Sequence, residues 1–428
     1  MSQSILISGG RVICPAQKID RINDVLISNG KIQEIAKNIY RERALKISAK
    51  NKIVCPGLID LHAHLRQPGG EGAETIETGL RAALAGGFTA VVAMPNTDPP
   101  IKTQSDVEFQ ISTARKLNLA RLFVAAQISD EKNFHEFKNL KTAGAVALTN
   151  DGDDVDDPQI LQKALRWARN FNLPIFTHAE EKNLSQNGVV AAGEIATKTG
   201  LAPIYKSAEI LGIAKSLILA RENNAAIHIS HVSCAESVEL IRNAKKDFSK
   251  ISAEATPHHF SFNFSECENF NTNSKMYPPL QSEADRAAIV AGLADGTIDA
   301  IATDHAPHTA HSKSLPFALA PRGTIGLQTA FAAGITFLVR EKKLSLFQFL
   351  EKMTAAPARI LNLQNCGSLE IGNPGDVAIF DLNKKWTVDA QQFFSKSKNS
   401  IFDKKELFGI CEKTIVGGEL KFDFENSF

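Results

Sequence analysis

The sequence predicts an α/β protein: a closed parallel (β/α) barrel carrying a smaller β-rich domain assembled from both chain ends. Three observations predict it. The middle of the chain alternates nearly continuous apolar strands with amphipathic helices, the pattern of a parallel sheet buried on both faces. Both ends of the chain read as short strands punctuated by turn residues. Several central strands end in a histidine, asparagine or aspartate, as they do where barrel strands open onto a functional mouth.

The first ~50 residues contain ILISGG, VLISNG and KIQEIA, apolar runs stopped by Gly and Asn, which is hairpin chemistry. The far end, GSLEIGNPGDVAIFDL, has the same texture. Two β-rich ends around a different middle predict one discontinuous domain. Between them, NKIVCPGLIDLH reads as a strand and ETIETGLRAALAGG as a helix closed by a Gly pair suited to a helix C-cap. FTAVVAMPN is again a strand. PQILQKALRWARNFN, KSAEILGIAKSLILARENN and ESVELIRNAKKDF read as helices, alternating with the strands LPIFTHAE, AAIHISHVS and TIDAIATDH. Alternation repeated this often favours a closed barrel over an open sheet.

Composition sets the class. The chain has 428 residues, 43% hydrophobic and 22% charged, which suits a globular protein with a large core and no need of disulfides. Its 48 basic and 47 acidic side chains leave a net charge of +1, so no electrostatic footprint points to nucleic acid or a membrane surface. The cysteines at 14, 55, 234, 267, 366 and 411 form no Cys-x-x-Cys pair and read as free thiols of a reducing compartment. The start, MSQSILISGGRVICP, lacks the pattern of a signal peptide. No stretch approaches the roughly 18 apolar residues of a membrane span. A cytoplasmic protein is expected.

The chemistry lies at the strand ends: His62 and His64 after LID, Asn96 after VVAMP, His178 after LPIFT, His231 after AAIHIS, and Asp304 after AIAT. In an extended segment residues two apart share a side, so His62 and His64 can reach one cation. Zinc takes such nitrogen and carboxylate ligands. A lone His-x-His also fits a surface pair, and His178 or His231 alone fits a packed core histidine; their shared location argues for one site. His228 points away from His231 in an extended strand and reads as packing or as support for a ligand. His258 and His259 are assigned to the site wall, His135 and His311 to ordinary polar positions. Asp304 can bind metal through one oxygen and handle a proton with the other.

LIDLHAHLRQPG, AGGFTAVVAMPNTDPP, NDG, THAEE, HISHVSCAESV, EATPHH and TDHAPH occur in the order found in type I dihydroorotases, and over most of its length the chain resembles that family of the amidohydrolase superfamily. The resemblance implies a (β/α)8 TIM barrel over 54–365 and a small β-sandwich domain from 1–53 and 366–428. It implies Zn2+, two ions per subunit or a single one. His62, His64 and Asp304 would hold one ion, His178 and His231 the second, and Asp151 of Asn150-Asp151-Gly152 would bridge them. Read by itself, NDGDDVDD looks like a solvated acidic loop. The activity implied is reversible hydrolysis of the cyclic amide of dihydroorotate in pyrimidine biosynthesis, with Asp304 as the catalytic proton carrier. His64, Arg66, Asn96, Tyr277, His308, Arg322 and Gly323 would line the substrate. Arg66 offers a planar fork of donors suited to a carboxylate, on the side of His64 if the segment is extended. Asn96 and His308 would add donors to the same anion. A homodimer, or aspartate transcarbamoylase as partner, would suit the family.

The chain departs from the family around the site. Gln67 and Gln328 stand where glutamate is usual, Ala73 replaces a frequent lysine, Ser312 a frequent glutamate, and Gln281 an arginine. Tyr277 replaces an asparagine that helps bind substrate, and loses its paired amide donor and acceptor. Alternative readings are another cyclic amidohydrolase, such as a hydantoinase or allantoinase, or a weakly active or silent subunit that scaffolds aspartate transcarbamoylase. The full ligand set argues against the silent subunit, and the absence of a lysine at 149–152 argues against enzymes bridged by carboxylated lysine.

Overall fold

The computed structural model describes residues 4–130 and 134–426; residues 1–3 and 427–428 of the expected chain-end domain lie outside the described residues. Eight parallel strands follow one another in sequence order: Leu58–Ala63, Phe88–Ala93, Arg121–Gln127, Ala145–Thr149, Ile175–Thr177, Ile227–Ile229, Ile251–Ala255 and Ala300–Ile301. The ring closes where Ala63 bridges His305 in parallel and His64 N donates to His305 O at 2.8 Å. The α/β barrel is therefore the fold, and its C-terminal strand ends share one mouth.

The helices read from the sequence form for local reasons. Ile76–Ala85 starts with a capping box in which the Thr75 side chain accepts from Thr78 N. Pro158–Asn170 opens with Asp157 as N-cap and Pro158 at its first position, and buries Leu161, Ala164, Leu165 and Ala168, one stripe at helical spacing. Lys206–Asn223 and Ala235–Asp247 complete the set. Sequence reading did not single out the helix Gln104–Leu117, which buries only Val107, Gln110 and Ala114 and so carries a faint apolar stripe.

The chain ends meet in a second, eight-stranded sheet. Ile53–Pro56 pairs parallel with Ile5–Cys14 on one side and antiparallel with Val377–Thr387 on the other, Val377 opposite Pro56 and Phe380 opposite Ile53. The hairpin between Ile19–Ser28 and Lys31–Ala36 turns on Asn29 and Gly30, with φ of 52° and 75°, the backbone that a two-residue hairpin requires. A separate apolar cluster that includes Ile7, Val25, Ile27, Val54 and Ile379 fills this unit. No helix among the described residues is long and apolar enough to cross a membrane.

Among the contacts that fix the sheet to the barrel are an ion pair and a ring stack. Arg121 at the base of a barrel strand forms a two-pronged pair with Asp376, at 2.8 and 3.0 Å. The fully buried Phe380 ring stacks on Phe331, centroids 3.6 Å apart at 13°. Truncating so large a packed ring leaves a cavity, so Phe380→Ala is expected to cost about 3–5 kcal/mol of stability, measured by urea denaturation.

Candidate metal centre

Within Leu58–Ala63, Asp60 and His62 lie on the same side of the strand and are buried in the barrel interior. Asp60 accepts from Thr303 N at 2.8 Å and from Thr303 Oγ1 at 2.6 Å, which pins the chain just ahead of Asp304. His62 Nδ1 donates to Glu254 Oε1 at 3.0 Å and His64 Nδ1 donates to Asn96 Oδ1 at 2.8 Å. Each imidazole thereby turns the lone pair of Nε2 inward, which is how outer partners orient metal-binding histidines. His64 Nε2 lies 3.1 Å and His62 Nε2 3.7 Å from Asp304 Oδ1.

Asp151 stands at the centre. Its Oδ2 is 3.2 Å from His62 Nε2 and 3.5 Å from His64 Nε2. Its Oδ1 is 3.8 Å from His178 Nδ1 and 3.7 Å from His231 Nε2, and those two nitrogens are 2.8 Å apart. One carboxylate thus offers an oxygen to each of two groups, and all six side chains named from the sequence converge. Next to it Gly152 has φ of 91°, and a Cβ there would come within 2.8 Å of Asn96 Nδ2.

The donor set fits a cation. His62 Nε2 and Asp151 Oδ1 are buried without a hydrogen-bond partner among the described residues, which is costly unless something else satisfies them. His62, His64 and Asp304 offer atoms close enough for one ion, as do His62, Asp151 and His231. Imidazole nitrogen with carboxylate oxygen suits a divalent transition-metal ion. Electrostatics agree. Burial opposes a charge on His62, yet Asp151, Glu254 and Asp304 push its pKa well above the ordinary range, so this point calls for positive charge. Burial likewise opposes ionisation of Asp151 and Asp304, and the surrounding histidines override it, holding both well below the usual carboxylate range. Burial and then His231 push His178 down to about 3, leaving a neutral imidazole able to ligate.

The backbone is strained here. Arg66, His231 and Asp304 have φ of 59°, 35° and 46°, left-handed values that non-glycine residues hold only under constraint. Arg66 is therefore not in the extended segment expected, and it reaches the site from a turn, with Nε donating to Pro307 O at 3.1 Å. The strand holding His228 ends at Ile229, so alternation does not carry on to His231, and both residues serve one site. His228 Nε2 donates to Glu254 Oε2 at 3.0 Å, so Glu254 ties His228 to His62.

The remaining predicted residues lie around the mouth. Asn96 spends its oxygen on His64 and keeps its amide donors. His308 Nε2 donates to Arg322 O at 2.7 Å, and burial, then Arg66, pushes its pKa to about 3. Neutral and so committed, His308 shows an acceptor at Nδ1 and gives an anion a donor only as imidazolium. Gly323 has φ of 117° and abuts Ala306, where a Cβ would lie 2.5 Å from that side chain. Tyr277 sets its ring 4.9 Å from that of His178 and beneath the Arg322 guanidinium at 3.7 Å, while its hydroxyl bonds the Glu180 carboxylate. Burial and then that bond push the Tyr277 hydroxyl up to about 12. Gln67 accepts from Ile76 N and Gln328 from Phe394 N, roles that need only an acceptor oxygen. His258 and His259 are buried, and His259 bonds Thr256 and Pro278; His311 is exposed, and His135 pairs with Asp130.

Sequence reading did not single out Glu254, Asp60 or Glu180. The signal was there for the first two: each is the one carboxylate of a short, mostly buried strand, which is tolerated only with built partners.

A family model described as the amidohydrolase family matches residues 53–421. The chain is 43% identical over 421 residues to a dihydroorotase of Elusimicrobium minutum, covering 98% of this chain and 97% of that protein. It is 41% identical over 419 residues to a dihydroorotase of Acetivibrio thermocellus, covering 97% and 98%. Among solved structures it resembles an L-hydantoinase (dihydropyrimidinase) from Arthrobacter aurescens, with a TM-score of 0.89, 24% identity, and 98% and 96% coverage, a likeness of fold.

Because Glu254 orients His62 and matches the charge behind it, Glu254→Gln is expected to weaken retention of a divalent metal ion about 10–100-fold in competition with a chelator.

Proposed function

The chain belongs to the amidohydrolase family and, within it, to the dihydroorotases, and from that membership we propose how its residues perform reversible hydrolysis of (S)-dihydroorotate to N-carbamoyl-L-aspartate, a step of pyrimidine biosynthesis. It is a cyclic amide hydrolase acting on a small molecule. One observation carries the assignment of residues: imidazoles spread from His62 to His231 meet on the two oxygens of Asp151, and two of them also face Asp304.

We assign two Zn2+ per subunit, one to His62, His64 and Asp304, the other to His178 and His231, with Asp151 shared. Bound there, Zn2+ supplies Lewis acidity, lowering the pKa of water toward about 7 and polarising an amide carbonyl. Asp304 carries the proton. Its Oδ1 is turned to His62 and His64. The second oxygen takes a proton from the attacking water and returns it to the ring nitrogen as the C–N bond breaks.

Arg66 and the Asn96 amide bind the substrate carboxylate. Gly323 N donates to Lys275 O at 2.7 Å, and the carbonyls of Arg322 and Gly323, which accept from His308 and Asn399, each keep a second lone pair to offer. Carbonyls suit the N–H groups of a cyclic amide. Tyr277 supplies an aromatic wall where an amide would otherwise bond, and the ring is held by shape on that side. All six cysteines are free, five of them buried, which supports a reducing compartment such as the cytoplasm.

Dihydroorotate is expected to be the best substrate among dihydroorotate, hydantoin and allantoin in steady-state assays with added Zn2+; the reading fails if it is the poorest. Asp304→Asn is expected to lose about 10²–10⁴-fold in kcat. Closing the ring takes up a proton and starts from protonated Asp304, so raising the pH should speed hydrolysis and slow closure. Rate profiles that rise together in both directions would refute the role of Asp304. Asp151→Asn is expected to lower bound Zn2+ from two per subunit toward one by elemental analysis.

A further inference from the structure

Two buried lysines beside the mouth have no part in the chemistry above. Lys275 is 3% exposed; its Nζ donates to Ala318 O at 3.0 Å and Ala320 O at 2.7 Å, and its own carbonyl accepts from Gly323 N. Lys313 is 7% exposed; its Nζ donates to Thr272 O at 2.8 Å and Pro321 O at 3.0 Å, and Thr272 Oγ1 returns a bond to Lys313 O at 2.6 Å. The two ammonium groups thus grip the Ala318–Pro321 backbone from two sides, just before Arg322 and Gly323.

Buried charges are ordinarily paired, since an unpaired one forfeits solvation with nothing in return. Among the described residues neither lysine has a carboxylate within ion-pair distance, and the charged groups each feels most are cations: Arg322 for Lys275, and Lys275 for Lys313. Lys313 acts in turn on His308, as does Arg66. Arg322 spends its guanidinium on the Tyr277 face and on Gly188 O at 2.7 Å, again without a carboxylate. The rim from Pro307 to Gly323 therefore gathers four cations.

We propose that Lys275 and Lys313 are positioning residues that fix the Ala318–Gly323 rim and hold there a positive charge that the carboxylates of the substrate neutralise. The inference rests on the dihydroorotate reading and adds a source of its charge preference. Carbonyl dipoles hold each ammonium in place but do not cancel its charge. Burial, with no counter-ion to oppose it, pushes Lys275 down to about 8 and Lys313 to about 7, so near neutral pH their charge is held only in part. An entering anion supplies that counter-ion, and a dianion more fully than a monoanion.

The test is the split between the two directions of the reaction. In Lys313→Met, and separately in Lys275→Met, the KM for N-carbamoyl-L-aspartate, with two carboxylates, should rise about tenfold and that for dihydroorotate, with one, about threefold, while neither kcat moves beyond about threefold. Lys→Arg at either position should recover most of the loss and Lys→Gln should not, and this pair decides the matter should a methionine variant fail to fold. Equal rises for both substrates, a loss confined to kcat, or recovery by glutamine would overturn the proposal. Turnover of dihydroorotate by the unmutated chain separates the two readings: with turnover intact, such results sink the lysine assignment alone, whereas without it both fall.

Discussion

Four carboxyl groups, Asp60, Asp151, Glu254 and Asp304, are buried within one barrel mouth; burial pushes Asp60 up to about 7, and the rest of the site is arranged around the need to hold the negative charge of the other three. Water cannot solvate them there, and like charges in a poorly polarisable interior repel strongly. Asp60 answers this with two bonds from Thr303, and Glu254 with two histidines. Asp151 and Asp304 have only the inward nitrogens of His62, His64, His178 and His231, and in those two contacts the arrangement calls for a cation. Left-handed backbone at His231 and Asp304 follows: strand ends that continued extended would carry these side chains out of reach. Strain of this kind, about 1–3 kcal/mol at each residue, persists only where packed surroundings leave no alternative.

Those surroundings include the far end of the chain. Ser395 Oγ and Lys396 N donate to Glu74, whose carboxylate also accepts from His305 Nε2 at 3.1 Å, next to Asp304. Asn399, 5% exposed, accepts from His308 N at 3.0 Å and donates to Ala306 O at 3.0 Å and Gly323 O at 3.2 Å. A segment more than 75 residues beyond these loops thus joins them to one another. The chain-end sheet anchors this strap through Val377–Thr387 on one side and Glu406–Val416 on the other, and so bears on the geometry of a mouth it does not line.

The legible parts of the site were those written locally. His62-x-His64 carries its own geometry in the alternation of a strand, and Asp304, His178 and His231 share a place at strand ends that the fold class makes meaningful. Asp151 lacks such a mark: it lies in an acidic loop, and only resemblance singled it out. Glu254 was hidden for a different reason, because its partners His62 and His228 lie 192 and 26 residues away, on other strands. Arg66 was assigned to the side of His64 by extended spacing that the backbone does not keep. The tautomer of His308 is fixed by a carbonyl 14 residues on, which no local pattern records.

Tyr277 shows how a departure from a family pattern is absorbed. A phenol in place of an amide brings a large ring and a single hydroxyl, and both are engaged. The ring covers His178 on one side and carries the Arg322 guanidinium on the other, a stacking that suits a planar cation. The hydroxyl joins Glu180 and, at 3.3 Å, Ser185, while Arg322 reaches Gly188, so the loop after His178 is bound to the rim by this one side chain and its neighbour. What is lost as a hydrogen bond to a ligand returns as a tie between two loops. An amide at 277 would recognise a polar edge. The tyrosine instead stiffens the wall and moves discrimination onto charge and shape, in line with a rim whose lysines bond carbonyls and not carboxylates.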